Sequence, residues 1–228
     1  MKTSNKILLG LLTTIFLFIT AAFIDIRVFG VHRSERNIIK KTHTIDLGNY
    51  KYLKTKNINS LEIRPSANNH VNFIAYNDTV EFAIDYRIEN DTLFLISKKS
   101  LQYYTHYSLY TQSEIKSILA LDSKIELKGL KQDEIFMMID GGEANSWGSD
   151  SLMTSIFKKL SVIQVNSRTN FRNIKVDTLE IGLVNSRANF DNDILWLNAD
   201  IKDQSNLELR NVIEAKFQKD KKSRIYMR

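Results

Sequence analysis

The chain has no cysteine, a single proline (Pro65), eight glycines and four histidines, and each shortage removes a class of protein. Without cysteine there is no disulfide framework, no thiolate metal site and no Cys nucleophile. The lipid-bearing cysteine of a bacterial lipoprotein is excluded too. So little proline and glycine exclude collagen-like and flexible linker sequences. His32, His43, His70 and His106 are scattered, with neither Cys partners nor HExxH spacing, so no zinc site is expected. No GxSxG, P-loop or GxGxxG occurs. The sequence therefore leads us to expect no metal, no cofactor, no catalytic residue and no enzyme activity.

What is present begins with an uneven distribution of charge. The net charge is +6 over 228 residues, a length that allows one anchor and one sizeable domain. The excess collects at Arg27, Arg33, Arg36, Lys40 and Lys41, and in a tail with Lys216, Lys219, Lys221, Lys222, Arg224 and Arg228. Neither group belongs to a nucleic-acid motif, so no nucleic-acid partner is expected, and the tail reads as protection of a strand edge. Residues 7–24, ILLGLLTTIFLFITAAFI, carry no charge for 18 residues. As a helix they span about 27 Å, close to the hydrocarbon thickness of a bilayer. The expectation is a cytoplasmic head at 1–6, a transmembrane anchor at 7–24 that makes the membrane a partner, a polar stalk at 25–49 and a folded domain at 50–228. A cleaved signal segment ending near Ala22 is the competing reading. The topology expected is N-inside and C-outside, although the five Lys/Arg after the span outnumber Lys2 and Lys6 before it.

Alternating apolar residues mark strands at 61–63, 71–76, 80–88 and 92–96, separated by polar turns. They predict a short β-meander in which Val80, Phe82, Ile84, Tyr86 and Ile88 share a buried face. Tyr103, Tyr104, Tyr107 and Tyr110 follow, a hairpin packed over the domain or an aromatic contact surface.

The most informative stretch repeats itself. Val165-Asn166-Ser167-Arg168-Thr169-Asn170-Phe171 returns nineteen residues later as Val184-Asn185-Ser186-Arg187-Ala188-Asn189-Phe190, and Ser205 to Leu209 is a fainter copy. Ser123, Ser146, Ser167, Ser186, Ser205 and Ser223 give intervals of 23, 21, 19, 19 and 18. Such a period predicts an all-β fold of stacked coils, a parallel β-solenoid of about 18–23 residues per coil. Phe171, Phe190 and Leu209 should then stack inside, and Asn166 and Asn185 should turn corners in left-handed backbone conformation. The Asp140 to Asn145 segment lacks calcium-loop spacing and reads as a corner. Arg168 and Arg187 should be neighbours on adjacent coils, where two guanidiniums call for an anion or a carboxylate between them.

An apolar N-terminal segment, a meander ending in Asn90-Asp91-Thr92-Leu93-Phe94-Leu95-Ile96 and serial coils with polar corners and a serine together resemble the auto-transporter adhesin head GIN domain family of Bacteroidetes. The resemblance covers roughly residues 61–227. It implies a right-handed parallel β-helix outside the cytoplasm and an adhesive role; the family's usual corner glycine is replaced by Asn166 and Asn185. It carries no catalytic residues to this chain. The function expected is non-catalytic adhesion, scaffolding or surface interaction in the cell envelope, with an envelope protein or glycan as partner. The location is the inner membrane with the domain in the periplasm, or outside the cell after cleavage. Its rivals are an envelope-stress sensor acting through a membrane partner and a polysaccharide-acting β-helix enzyme, against which the carboxylates fail to repeat with the coils.

Overall fold

A computed structural model describes residues 10–21, 40–76, 84–97, 106–147 and 151–228. The chain divides into two compact units, Met1–Ile39 and Lys40–Arg228. In the first, residues 10–21 are helical, with Leu11, Leu12, Phe16 and Phe18 exposed and Thr14 Oγ1 donating to the Gly10 carbonyl at 2.9 Å. Among the described residues no helix is long and apolar enough to cross a membrane. Residues 7–9 and 22–24 of the expected span, and the expected head at 1–6, lie outside the described residues.

The second unit is almost entirely strand, and its strands fall into two parallel ladders. The first ladder runs β6 (Thr92–Ser97), β2 (Tyr52–Lys56), β8 (Ser117–Leu121), β10 (Lys131–Asp140), β12 (Ser155–Val165) and β14 (Ile174–Val184). It ends on the second halves of β15 (Arg187–Lys202) and β16 (Asn206–Lys219). The second ladder runs β7 (Tyr107–Thr111), β3 (Leu61–Pro65), β9 (Lys124–Leu127), β11 (Glu143–Ser146) and β13 (Arg168–Phe171), then the first halves of β15 and β16, and β17 (Arg224–Met227). From β8 onward the chain alternates between them, so each passage through both adds one rung. The sheet does not close on itself.

Repeated sequence becomes repeated packing. Leu160, Leu179 and Leu197 align in register, as do Val162, Ile181 and Ala199, and all six are buried. Phe171 and Phe190 face each other on adjacent rungs with ring centroids 5.4 Å apart and edge-on, and Leu209 continues the row. Each such side chain contributes about 1.5–3 kcal/mol through removal from water, which only the neighbouring rung makes possible.

The corner between the ladders is built from one device. Asp122, Gly141, Asn166, Asn185 and Gln204 take positive φ, and the next residue is Ser123, Gly142, Ser167, Ser186 or Ser205. Asn185 Nδ2 donates to Asn166 Oδ1 at 2.8 Å, joining two corners. Ser186 Oγ accepts the Ser167 N–H at 3.0 Å, Ser205 Oγ accepts that of Ser186 at 3.0 Å, and Ser223 Oγ accepts that of Ser205 at 3.2 Å.

The structure corrects four expectations. Gly142 holds the corner position assigned to Ser146: its N–H donates to Ser167 Oγ at 3.2 Å, while Ser146 pairs with Phe171 in the second ladder. The extra residues of that coil fall between β11 and β12, where residues 151–153 form a 3₁₀ turn. The stalk stops earlier than residue 49, because β1 (Lys40–Asp46) pairs antiparallel with β4 (His70–Tyr76). The expected meander is confined to antiparallel additions: β4 on β7, and β5 (Ile84–Glu89) on β6. Strands β2, β3, β6 and β7 instead belong to the parallel ladders, because their inward rows Leu53, Leu93 and Ile118, or Ile63, Leu109 and Leu127, extend the same core. Fourth, on β5 Ile84 is buried but Tyr86 is 47 % exposed.

Candidate functional site

Alternation along each strand of the second ladder sends one residue in and the next out. Thr169 and Phe171, with Ala188 and Phe190 on the next rung, go to the core, and three outward rows result. The row beside the corner contains Lys124, Glu143, Arg168, Arg187, Asn206 and Arg224, in register. The middle row contains Glu126, Asn145, Asn170, Asn189, Glu208 and Tyr226. Beyond the buried Ser146, Phe171, Phe190 and Leu209, and the exposed Met227 in register with them, the third row is formed by the residue after each: Trp147, Arg172, Asp191, Arg210 and Arg228.

Six arginines and an exposed tryptophan therefore share a face with three carboxylates between the rungs of β11 and β17. Glu208 accepts from Arg187 Nη2 at 2.6 Å, Asp191 lies 3.5 Å from Arg210, and Glu143 lies 3.2 Å from Lys124. Arg172 sits over the Trp147 ring, 4.6 Å from its centroid. Among the described residues, no carboxylate lies within ion-pair distance of Arg168, Arg224 or Arg228. Asn145 and Asn170 are buried although they belong to an outward row, and Asn170 Oδ1 has no hydrogen-bond partner among the described residues. A furrow of about 520 Å³ lies over the last rungs, lined by Arg172, Asn189, Asp191, Glu208, Arg210 and Arg228 among others. This face can hold an anion between guanidinium groups and hydrogen-bond neutral oxygens through its amides.

Of the four tyrosines of the expected aromatic surface, two are described. Tyr107 is 1 % exposed and packs against Phe73 at 6.2 Å, so it is core. Tyr110 stacks on His70 at 4.4 Å, and Tyr103 and Tyr104 lie outside the described residues.

A second cluster went unnoticed in the sequence because its members are 46 residues apart. Ser60 Oγ and His106 Nδ1 are hydrogen-bonded at 2.8 Å, and His106 Nε2 lies 3.7 Å from Glu62 Oε2. Ser, His and carboxylate are the parts of a nucleophilic triad, but the charges are arranged otherwise. Lys128 Nζ reaches the same Glu62 oxygen at 2.8 Å, and Arg64 pairs with the other. Burial first, and then the Lys128 charge, hold His106 below the usual histidine range. Glu62 thus serves the two cations rather than orienting the imidazole, and the cluster ties β3 to β9. Among the described residues, no group of three or more His, Cys, Asp or Glu is placed to hold a metal ion.

No family model matches the chain, and no curated protein matches it. Solved structures do. A "putative adhesin" from Bacteroides fragilis aligns with TM-score 0.56 at 12 % identity over 83 % of this chain and 97 % of that one. A "putative adhesin" from Parabacteroides distasonis aligns with TM-score 0.54 at 10 % identity over 83 % and 94 %. A "putative lipid binding protein" from the same species aligns with TM-score 0.50 at 12 % identity over 83 % and 96 %. At these identities the likeness concerns the fold.

Proposed function

We propose that the protein is a non-catalytic surface-interaction module of the cell envelope, a right-handed parallel β-helix of the GIN head type carried on an anchor at residues 7–24. The observation that carries this reading is the exposed register of Arg168 against Arg187, one rung apart, where among the described residues Arg187 has a carboxylate partner and Arg168 has none. Adjacent guanidiniums at a strand spacing of about 4.8 Å repel unless an anion joins them. A surface kept in that state is suited to binding. The adhesin names of similarly folded proteins support the same class of role. The apolar run at 7–24 supports attachment to the inner membrane, with Lys40–Arg228 on the periplasmic side, or export after cleavage.

Fractionation of the cells that make it, with protease accessibility and N-terminal sequencing, tests the proposal. Intact Met1 in the inner-membrane fraction, with the domain protected until the outer membrane is opened, identifies a periplasmic scaffold. Cleavage near Ala22 with protease-accessible protein on whole cells identifies an adhesin. Recovery with the soluble cytoplasmic proteins overturns both.

A further inference from the structure

We infer that the outer face of the second ladder is a linear site for a carboxylated polysaccharide lying along the stacking axis, across the strands. The inference rests on the surface-interaction reading above and adds the ligand class and the residues that select it.

Geometry comes first. Arg168 and Arg172 lie four positions apart on the same outward side of one rung, which separates their backbones by roughly 13 Å. Asn170 lies midway. With rungs about 4.8 Å apart, the two outer rows carry six arginines interrupted by Glu143, Asn206, Trp147 and Asp191, and the row between them carries Asn145, Asn170 and Asn189 before Glu208 and Tyr226. That step is comparable to the advance of one pyranose ring along a polysaccharide, so successive sugars meet successive rungs.

Chemistry then narrows the occupant. The planar guanidinium fork matches a carboxylate or a phosphate bidentately, and among the described residues no carboxylate lies within ion-pair distance of Arg168, Arg224 or Arg228. On the intervening rungs Arg187 and Arg210 already hold Glu208 and Asp191, so charge on the ligand is called for chiefly at the rungs of β13 and β17. Between them the floor offers the half-buried Asn189, while Asn170 lies beneath the surface with its Oδ1 buried and without a hydrogen-bond partner among the described residues. At the β11 end Trp147 is 41 % exposed with Arg172 over one side of its ring, so a stacking sugar is confined to the other side. Phe190 and Leu209 line the furrow too, but at 1 % and 3 % exposure between charged neighbours they give an acyl chain no continuous apolar surface. A single-stranded nucleic acid needs aromatic platforms for its bases, and this face carries only Trp147 and Tyr226 at its two ends.

The full chain, held in nonionic detergent, should bind polygalacturonate oligosaccharides at low salt. It should bind the methyl-esterified polymer weakly, and polyphosphate of equal charge more weakly than polygalacturonate. The double variant Arg168→Gln with Arg172→Gln should lose about tenfold in affinity per arginine, and Trp147→Ala should weaken binding severalfold. Arg87→Gln, whose arginine pairs with Glu89 on β5, should bind as the wild type does. All four positions are exposed, so unchanged circular dichroism identifies a variant that has kept its fold. Wild-type affinity in the double variant overturns the site. Equal binding of polyphosphate, or of the esterified polymer, overturns the ligand class. Envelope location is measured separately by fractionation, so failure here leaves the surface-interaction reading standing, and failure there does not depend on any sugar.

Discussion

One hydroxyl per corner fixes the vertical spacing of this molecule. Ser186 Oγ accepts the buried Ser167 N–H and donates to the part-buried Val184 carbonyl at 2.8 Å, so one hydroxyl serves two backbone groups of the corner. Ser186→Ala should cost about 1–3 kcal/mol, read as a lower urea midpoint, and an unchanged midpoint would sink the serine-ladder account. Gly142 stands in the same series without a side chain, and a Cβ there would overlap the Ser123 carbonyl oxygen. Gly142→Ala should therefore destabilise by about 1–3 kcal/mol, whereas Gly182→Ala, whose Cβ would sit 3.9 Å from Ile163 Cγ1, should be nearly neutral in the same assay. Burial acts on Tyr50 in a third way, pushing its phenol from 10.0 to about 12, with the Thr111 side chain only partly opposing it. A phenol whose value is raised by folding contributes stability that is complete below pH 10 and is lost as pH rises toward 12. Tyr50→Phe should shift the alkaline unfolding midpoint upward, and a variant that unfolds at the same pH as the wild type would assign alkaline unfolding to other groups.

Strands of the second ladder are tied by charge as well as by backbone. Glu62 on β3 is buried, and Lys128, just beyond β9, reaches it at 2.8 Å and Glu126 at 3.2 Å. Glu62→Gln should lower stability by about 1–3 kcal/mol, less than for an isolated buried pair because Glu126 remains for Lys128; equal stability of variant and wild type would show the cluster to be dispensable. That cluster also marks the limit of legibility. Coils that repeat within nineteen residues could be read directly, because Phe171 and Phe190, or Asn166 and Asn185, are the same residue at the same offset. Gly142 was hidden because the deviation of one coil moves the apparent corner to the nearest serine, Ser146. Strand β6 was legible as a strand at 92–96, but neither β2 nor its parallel pairing with β6 was, because that pairing is set by a core row, Leu53 against Leu93, that no local repeat announces. Of the proposed binding face, Arg168 and Arg187 were visible as a pair. Arg172 and Trp147 were not, since they meet only when β11 and β13 are side by side.

At the scale of the whole molecule, each rung touches only its neighbours, so stability is close to a sum over rungs and interfaces. This makes a rung removable as a unit. Deleting residues 167–185 joins Asn166 to Ser186 and restores the sequence Val-Asn-Ser-Arg at the junction. Leu160 then meets Leu197, Val162 meets Ala199, and Asn192 takes the place of Asn173 at the same offset. The shortened protein should fold in one cooperative step with a urea m-value lower by roughly a tenth, in proportion to the surface removed from the second unit. Deleting only residues 167–176 removes the same corner and half the same core, but leaves the chain out of phase with the ladder, so that β14 has no strand of the second ladder before it. That variant should unfold, as read by the loss of its β circular-dichroism signal. If both deletions unfold, the rungs are not independent units and the core is one indivisible body. If both fold, the nineteen-residue phase is not what holds the stack in register.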